Sequence, residues 1–201
     1  MTSSGPRLSE AVLPEHHFAE RHAIEVAATP EGTMAAVARL SLTDDPLARA
    51  LLRLRALPAA LVGGRFAARR EAEFSLRAFT ALGQVPGREI AWGLIGRLWR
   101  ADGGLEAVPD AAAFRAYARP GRVKLVWSFE AEPRGGGTSL ATRTRIWCIG
   151  AEARRRFAAY WIVVRPWSGL VRRRLLSAVK AQAEAADPAG GARHARHARH
   201  G

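Results

Sequence analysis

After Gly150 the chain changes its hydrophobic period, and that change limits the available folds more than any other feature. Downstream, Phe157, Tyr160, Trp161, Val164, Val171, Leu175 and Val179 fall on one stripe, which predicts a single helix of about nine turns ending before Asp187-Pro188. Pro166 lies inside the pattern; proline lacks a backbone donor and crowds the preceding turn, so a kink is expected between Ile162 and Pro166. Upstream the period is two. Val123, Leu125, Trp127 and Phe129 alternate with Lys124, Ser128 and Glu130, and beyond the Gly135-Gly136-Gly137 turn a partner strand runs from Ser139 to Ile149. A curved antiparallel sheet wrapped around the long C-terminal helix is the expected α+β architecture.

The earlier segments fit the same plan. Phe18 to Ala28 reads as a first strand through Ile24 and Val26; Thr29 caps a short helix opened by Pro30 and carrying Met34, Val37 and Leu40. Asp44 or Asp45 opens a second helix, with Leu47, Leu51, Leu52 and Leu54 up to Pro58. From Glu71, alternation puts Phe74, Leu76, Ala78, Thr80 and Leu82 on one face, ending at the Val85-Pro86-Gly87 turn. The return arm carries Ile90, Trp92, Leu94 and Leu98 on one side, while Gly93 and Gly96 mark a place where the strand bends or another backbone approaches. Ala101 to Asp110 reads as a loop and Ala111 to Tyr117 as a short strand. Residues 1–17 read as a flexible leader, 18–186 as one domain and 187–201 as a disordered Arg/His tail.

Composition narrows the functions. With 201 residues, 48% apolar and 24% charged, the chain suits one globular domain. Its start lacks a secretory pattern and no apolar run approaches membrane-spanning length, so a cytoplasmic location is expected. Cys148 is the sole cysteine, which precludes an internal disulfide and suits a small buried hydrophobe. The histidines, at 16, 17, 22, 194, 197 and 200, lie at the chain ends. No Ser-His-Asp or Cys-His set and no ordinary zinc spacing follows from them, so no catalytic residue, metal ligand or cofactor is assigned. The spaced carboxylate pairs Glu71 and Glu73, and Glu130 and Glu132, read as solvated surface.

The order strand, two short helices, antiparallel strands, long C-terminal helix resembles the helix-grip fold of the START-like (SRPBCC) superfamily over roughly residues 18 to 185. The run Thr142-Arg143-Thr144-Arg145-Ile146, with Phe157, Tyr160-Trp161 and Pro166-Trp167-Ser168-Gly169, looks like an uncharacterised bacterial branch of it. An acidic residue is common there at the position of Arg143, so no acid/base or charge-pair role carries over to that arginine. The resemblance implies an apolar cavity between the sheet and the long helix, but not its contents.

In strand 139–149, Leu140, Thr142, Thr144, Ile146 and Cys148 share one face and Ala141, Arg143, Arg145 and Trp147 the other; turning the first set inward avoids burying two arginines. The candidate cavity lining is Trp92, Leu94, Trp127, Phe129, Thr142, Thr144, Tyr160, Trp161 and Val164. The same aromatics also suit a plain core. Three functions follow. The first is non-enzymatic binding of a hydrophobic or amphipathic small molecule, lipid or polyketide-like. The second is a cyclase- or aromatase-like enzyme using the hydroxyls of Thr142, Thr144 and Tyr160. The third is binding of nucleic acid or an anionic membrane by the basic surface of Arg172, Arg173 and Arg174, prompted by a net charge of +13.

Overall fold

The computed structural model describes residues 6–39, 79–100 and 104–187. The expected second helix at 44–58, the strand positions from Glu71 to Ala78 and the tail beyond Asp187 lie outside the described residues. Within them run α1 (Leu8–Val12), β1 (Phe18–Val26), α2 (Pro30–Ala38), β2 (Thr80–Val85), β3 (Glu89–Gly96), α3 (Ala111–Ala116), β4 (Arg122–Arg134), β5 (Gly137–Ile149) and α4 (Ala151–Ala186). The strands form one antiparallel sheet in the order β1-β5-β4-β3-β2.

Local chemistry sets the corners. Gly135 and Gly136 sit at φ +54° and +78°, a pair of left-handed residues that lets β4 return directly as β5 with Arg134 opposite Gly137. At Val85-Pro86-Gly87, Gly87 is also left-handed and the Arg88 amide donates to the Val85 carbonyl at 3.0 Å. Thr29 caps α2 as expected, its hydroxyl accepting from the Gly32 amide at 3.2 Å. α4 runs unbroken through Pro166 and stops at Ala186.

The Ala111–Tyr117 segment is a correction: it is the helix α3, not a strand. Asp110 accepts from the Ala113 amide at 2.8 Å, an N-cap followed by three alanines, and cap plus propensity outweigh a short apolar alternation. Phe114 of α3 lies on Gly93, where an added Cβ would come within 2.7 Å of the ring. The neighbour that needs the glycine is therefore a side-chain ring, not the second backbone expected there. Glu106 ties the loop before α3 to the sheet by accepting from Tyr117 Oη and Arg122 Nε.

The leader is a second correction, because from Pro6 onward it packs on the sheet face opposite α4. Val12 and Leu13 are buried against Leu82, Ala91, Ile95, Phe114 and Val126. Polar groups fasten it further: Arg7 pairs with Glu130 (3.0 Å) and Glu132 (2.8 Å), the Leu8 amide donates to Glu89 (2.9 Å), and Arg145 Nε donates to the Leu13 carbonyl (2.9 Å). Glu130 is therefore buried and bonded to Arg143 at 3.0 Å rather than solvated. Two arginines on this face are tolerable because the segment brings the Leu13 and Pro14 carbonyls to Arg145 and the Glu10 carboxylate to both.

Burial holds the Glu89 carboxyl above the usual carboxylate range, with the Leu8 and Ser9 amides offsetting part of the shift. A raised folded-state value means the native protein holds that proton where the unfolded chain has lost it, so Glu89's contribution to stability falls as pH rises through this window. Glu89→Gln, measured by urea unfolding at about pH 4 and about pH 7, is expected to gain on the wild type at the higher pH. An unchanged difference would contradict the burial of this carboxyl.

Candidate functional site

Period two in each strand sends alternate side chains toward α4, and the pairing lines them up in rows. One row is Glu20, Thr144, Trp127 and Trp92, crossing β1, β5, β4 and β3; the next is His22, Thr142, Phe129 and Ile90; a third is Phe18, Ile146, Leu125 and Leu94. Leu140, Thr142, Thr144, Ile146 and Cys148 do face the helix, as the cost of burying arginine under it suggested. Burial lifts the Cys148 thiol to about 12, which leaves it un-ionised and unreactive at neutral pH.

α4 lies over β1 and β5 and only touches β4. α2 packs beside it on β4, where Met34, Ala36 and Val37 join the cluster of Trp127 and Phe129, so among the described residues the inner face is least covered at β3; Ile90 and Trp92 there, and Leu125 of β4, are half-buried. Trp127 lies 5.7 Å from Trp92 and 5.3 Å from Phe129 between ring centroids, forming one aromatic cluster with Phe79 beside it at 6.0 Å. Leu94, Tyr160 and Trp161 belong to a second cluster around Phe157, whose ring is 5.6 Å from Tyr160 and 5.8 Å from Trp161. Val164 is buried. Six of the nine expected lining residues thus fall in two clusters, Trp92, Trp127 and Phe129 in one and Leu94, Tyr160 and Trp161 in the other, while Thr142, Thr144 and Val164 belong to neither.

Of the three hydroxyls, Thr142 is occupied by the fold: it donates to the Ser128 carbonyl at 3.1 Å and accepts from the Trp127 indole at 2.7 Å. That locks the indole and leaves Thr142 without a free proton to offer a substrate. Thr144 is fully buried, and its hydroxyl has no hydrogen-bond partner in the structure.

The arginine triplet is divided. Arg173 and Arg174 are exposed, but Arg172 is not surface: its side chain is 13% exposed, with Nε 3.7 Å from Glu20 Oε2 and 3.2 Å from the Ser168 hydroxyl that accepts its bond. Its guanidinium carbon lies 5.8 Å from the Trp127 ring centroid, within cation–π range. Burial lowers the Arg172 pKa to about 10, with Glu20 opposing the shift. Three consecutive helical residues span more than half the circumference, so at least one member of such a triplet can turn inward.

Glu20 and His22, read earlier as strand and chain-end residues, also belong here. His22 Nε2 and Glu20 Oε1 are 2.9 Å apart, and Gly169 lets the helix approach them; a Cβ there would stand 3.1 Å from Glu20 Oε1. The signal was present in β1, where Phe18, Glu20, His22, Ile24 and Val26 share one face and the two polar members interrupt an inward apolar row.

The opposite sheet face carries a cleft of ≈ 150 Å³ walled by Arg7, Glu10, Arg88, Glu89, Glu130 and Glu132. Several of these charges pair with one another, which gives the cleft a structural role under α1. Among the described residues, no helix is long and apolar enough to cross a membrane. Compared with protein-family models, with curated proteins and with solved structures, the chain has no match.

Proposed function

We propose that the chain is a START-like helix-grip domain that binds a hydrophobic or amphipathic small molecule between the sheet and α4, without catalysing a reaction. The observation that carries this reading is the partial cover of the inner face. Among the described residues, α4 shields β1 and β5 and α2 part of β4, while Trp92, Ile90 and Leu125 are only half-buried beside the buried Trp127 and Phe129. Apolar walls with a few polar groups are the usual make-up of a small-molecule site. A thermal melt with 2-methoxynaphthalene, an uncharged aromatic probe, tests it: saturable binding raises Tm, and Trp92→Ala reduces the rise. A Tm unchanged at the probe's solubility limit would contradict the reading.

A second reading is favoured by the outer face of α4. Ile162, Val163, Trp167 and Leu170 are exposed by 41–76% and fall on one side of the helix, opposite Phe157, Val164 and Val179. Arg155 and Arg156 lie at one end of this patch and Arg173 and Arg174 at the other, about 27 Å apart along the axis. Apolar side chains between cationic ends fit an anionic lipid surface. A second copy would bring like charges together, and nucleic acid offers little to the apolar centre. Co-sedimentation with phosphatidylglycerol vesicles, but not with phosphatidylcholine vesicles, is the expected result, lost on Trp167→Ser with Leu170→Ser. Equal binding to both lipids, or to neither, would contradict it.

A further inference from the structure

We infer that the ligand of the inner face is a neutral molecule carrying a hydroxyl, anchored by Arg172, Glu20 and Thr144 with its apolar body toward Trp127 and Trp92. The inference rests on the binding reading above and specifies its chemistry. Three atoms of neighbouring residues motivate it: Glu20 Oε2, Thr144 Oγ1 and Arg172 Nη1 are each buried without a hydrogen-bond partner. Thr144 stands between Glu20 and Trp127 in the cross-strand row, and Arg172 reaches across it, Nε toward Glu20 and guanidinium by the Trp127 ring. The Glu20 side chain is 8% exposed, so solvent does little to satisfy it.

Buried polar atoms nearly always have a hydrogen-bond partner, and three without one around the Glu20–Arg172 ion pair mark where a partner belongs. Their character selects that partner. Arg172 Nη1 can only donate and ionised Glu20 Oε2 can only accept, while the hydroxyl of Thr144 can do either. One guest hydroxyl accepts from Arg172 and donates to Glu20, with Thr144 as a third partner. A carboxylate or phosphate would set its charge against Glu20 in a site whose cation is already balanced. The row leads from these atoms past Trp127 to half-buried Trp92, on the side that α4 leaves less covered among the described residues, which gives the apolar body its direction.

Isothermal titration of the full chain with 2-naphthol, 2-methoxynaphthalene and 2-naphthoate at neutral pH tests the inference. The naphthol is expected to bind about 10-fold more tightly than its methyl ether, the size of one well-placed bond to a charged group, and more tightly than the naphthoate. Arg172→Met should bring naphthol and ether affinities together. Thr144→Val, which keeps the side-chain shape, should narrow the gap even if the arginine variant does not fold. Naphthol and ether binding alike to the wild type, the naphthoate binding tightest, or a preference that survives Thr144→Val would overturn the hydroxyl anchor while leaving the guest site standing. If none of the three binds, the guest site falls as well, and the inference with it.

Discussion

Removal of residues 1–14 is expected to destabilise the domain by about 4 kcal/mol, a large share of the ordinary stability of a single domain. Val12 and Leu13 are each 5% exposed, and burial of such a side chain stabilises by roughly 1.5–3 kcal/mol. The truncation also strips Glu89 of the Leu8 amide, Glu130 of Arg7 and Arg145 of the Leu13 carbonyl. The conformational entropy regained by the freed segment offsets part of these losses. Urea unfolding of the truncated and full chains measures the difference. A loss under about 1 kcal/mol would mean that the segment contributes little to the sheet face it covers.

Phe157→Ala is expected to cost about 4 kcal/mol. Phe157 is buried where α4 meets the sheet, and its ring lies 5.2 Å from Phe18 of β1 as well as beside Tyr160 and Trp161. Truncation removes the transfer energy and leaves a cavity that one helix and three strands cannot collapse without shifting Leu94 and Ile146. Chemical denaturation gives the stability change, and amide exchange shows where it acts. Faster exchange in β1, β5 and the first half of α4 is expected; a small loss with unchanged protection there would show that α4 is held by other contacts.

Much of this architecture was legible because its largest signals are periodic. The β4–β5 hairpin and α4 each repeat one pattern over many residues, and Gly135-Gly136 and Gly150 mark their joints. The inward face of β5 followed from the cost of burying Arg143 and Arg145 under an apolar helix. What that argument missed is that the other face is covered too: α1 has only five residues, too short for a periodic signal, and it is held by long-range partners such as Glu89 and Arg145. α3 was missed because a six-residue helix looks like a strand in its apolar pattern, and the Asp110 cap was the clue that separates the two.

The candidate site was half legible. Bulky residues at period two pointed to Trp92, Trp127 and Phe129, yet the polar trio needed tertiary placement. Arg172 sits in a triplet whose composition suggests surface, and only the path of α4 over β1 turns it toward Glu20. Thr142 and Thr144 look alike in sequence; the Trp127 indole occupies one and leaves the other unpartnered. The exposed stripe from Ile162 to Leu170 was hidden by the expectation that apolar helix residues face the core.

The tryptophans supply the most direct test of a guest under α4. Indole N–H resonances of uniformly labelled protein, titrated with 2-methoxynaphthalene, report each site separately. Trp127 and Trp92 lie on the inner face, Trp147 stacks on His17 on the opposite face, and Trp167 is exposed on the outside of α4. Saturable shifts at Trp127 and Trp92, with Trp147 and Trp167 unmoved, are expected; shifts confined to Trp147 or Trp167, or none at all, would contradict a binding site between sheet and helix.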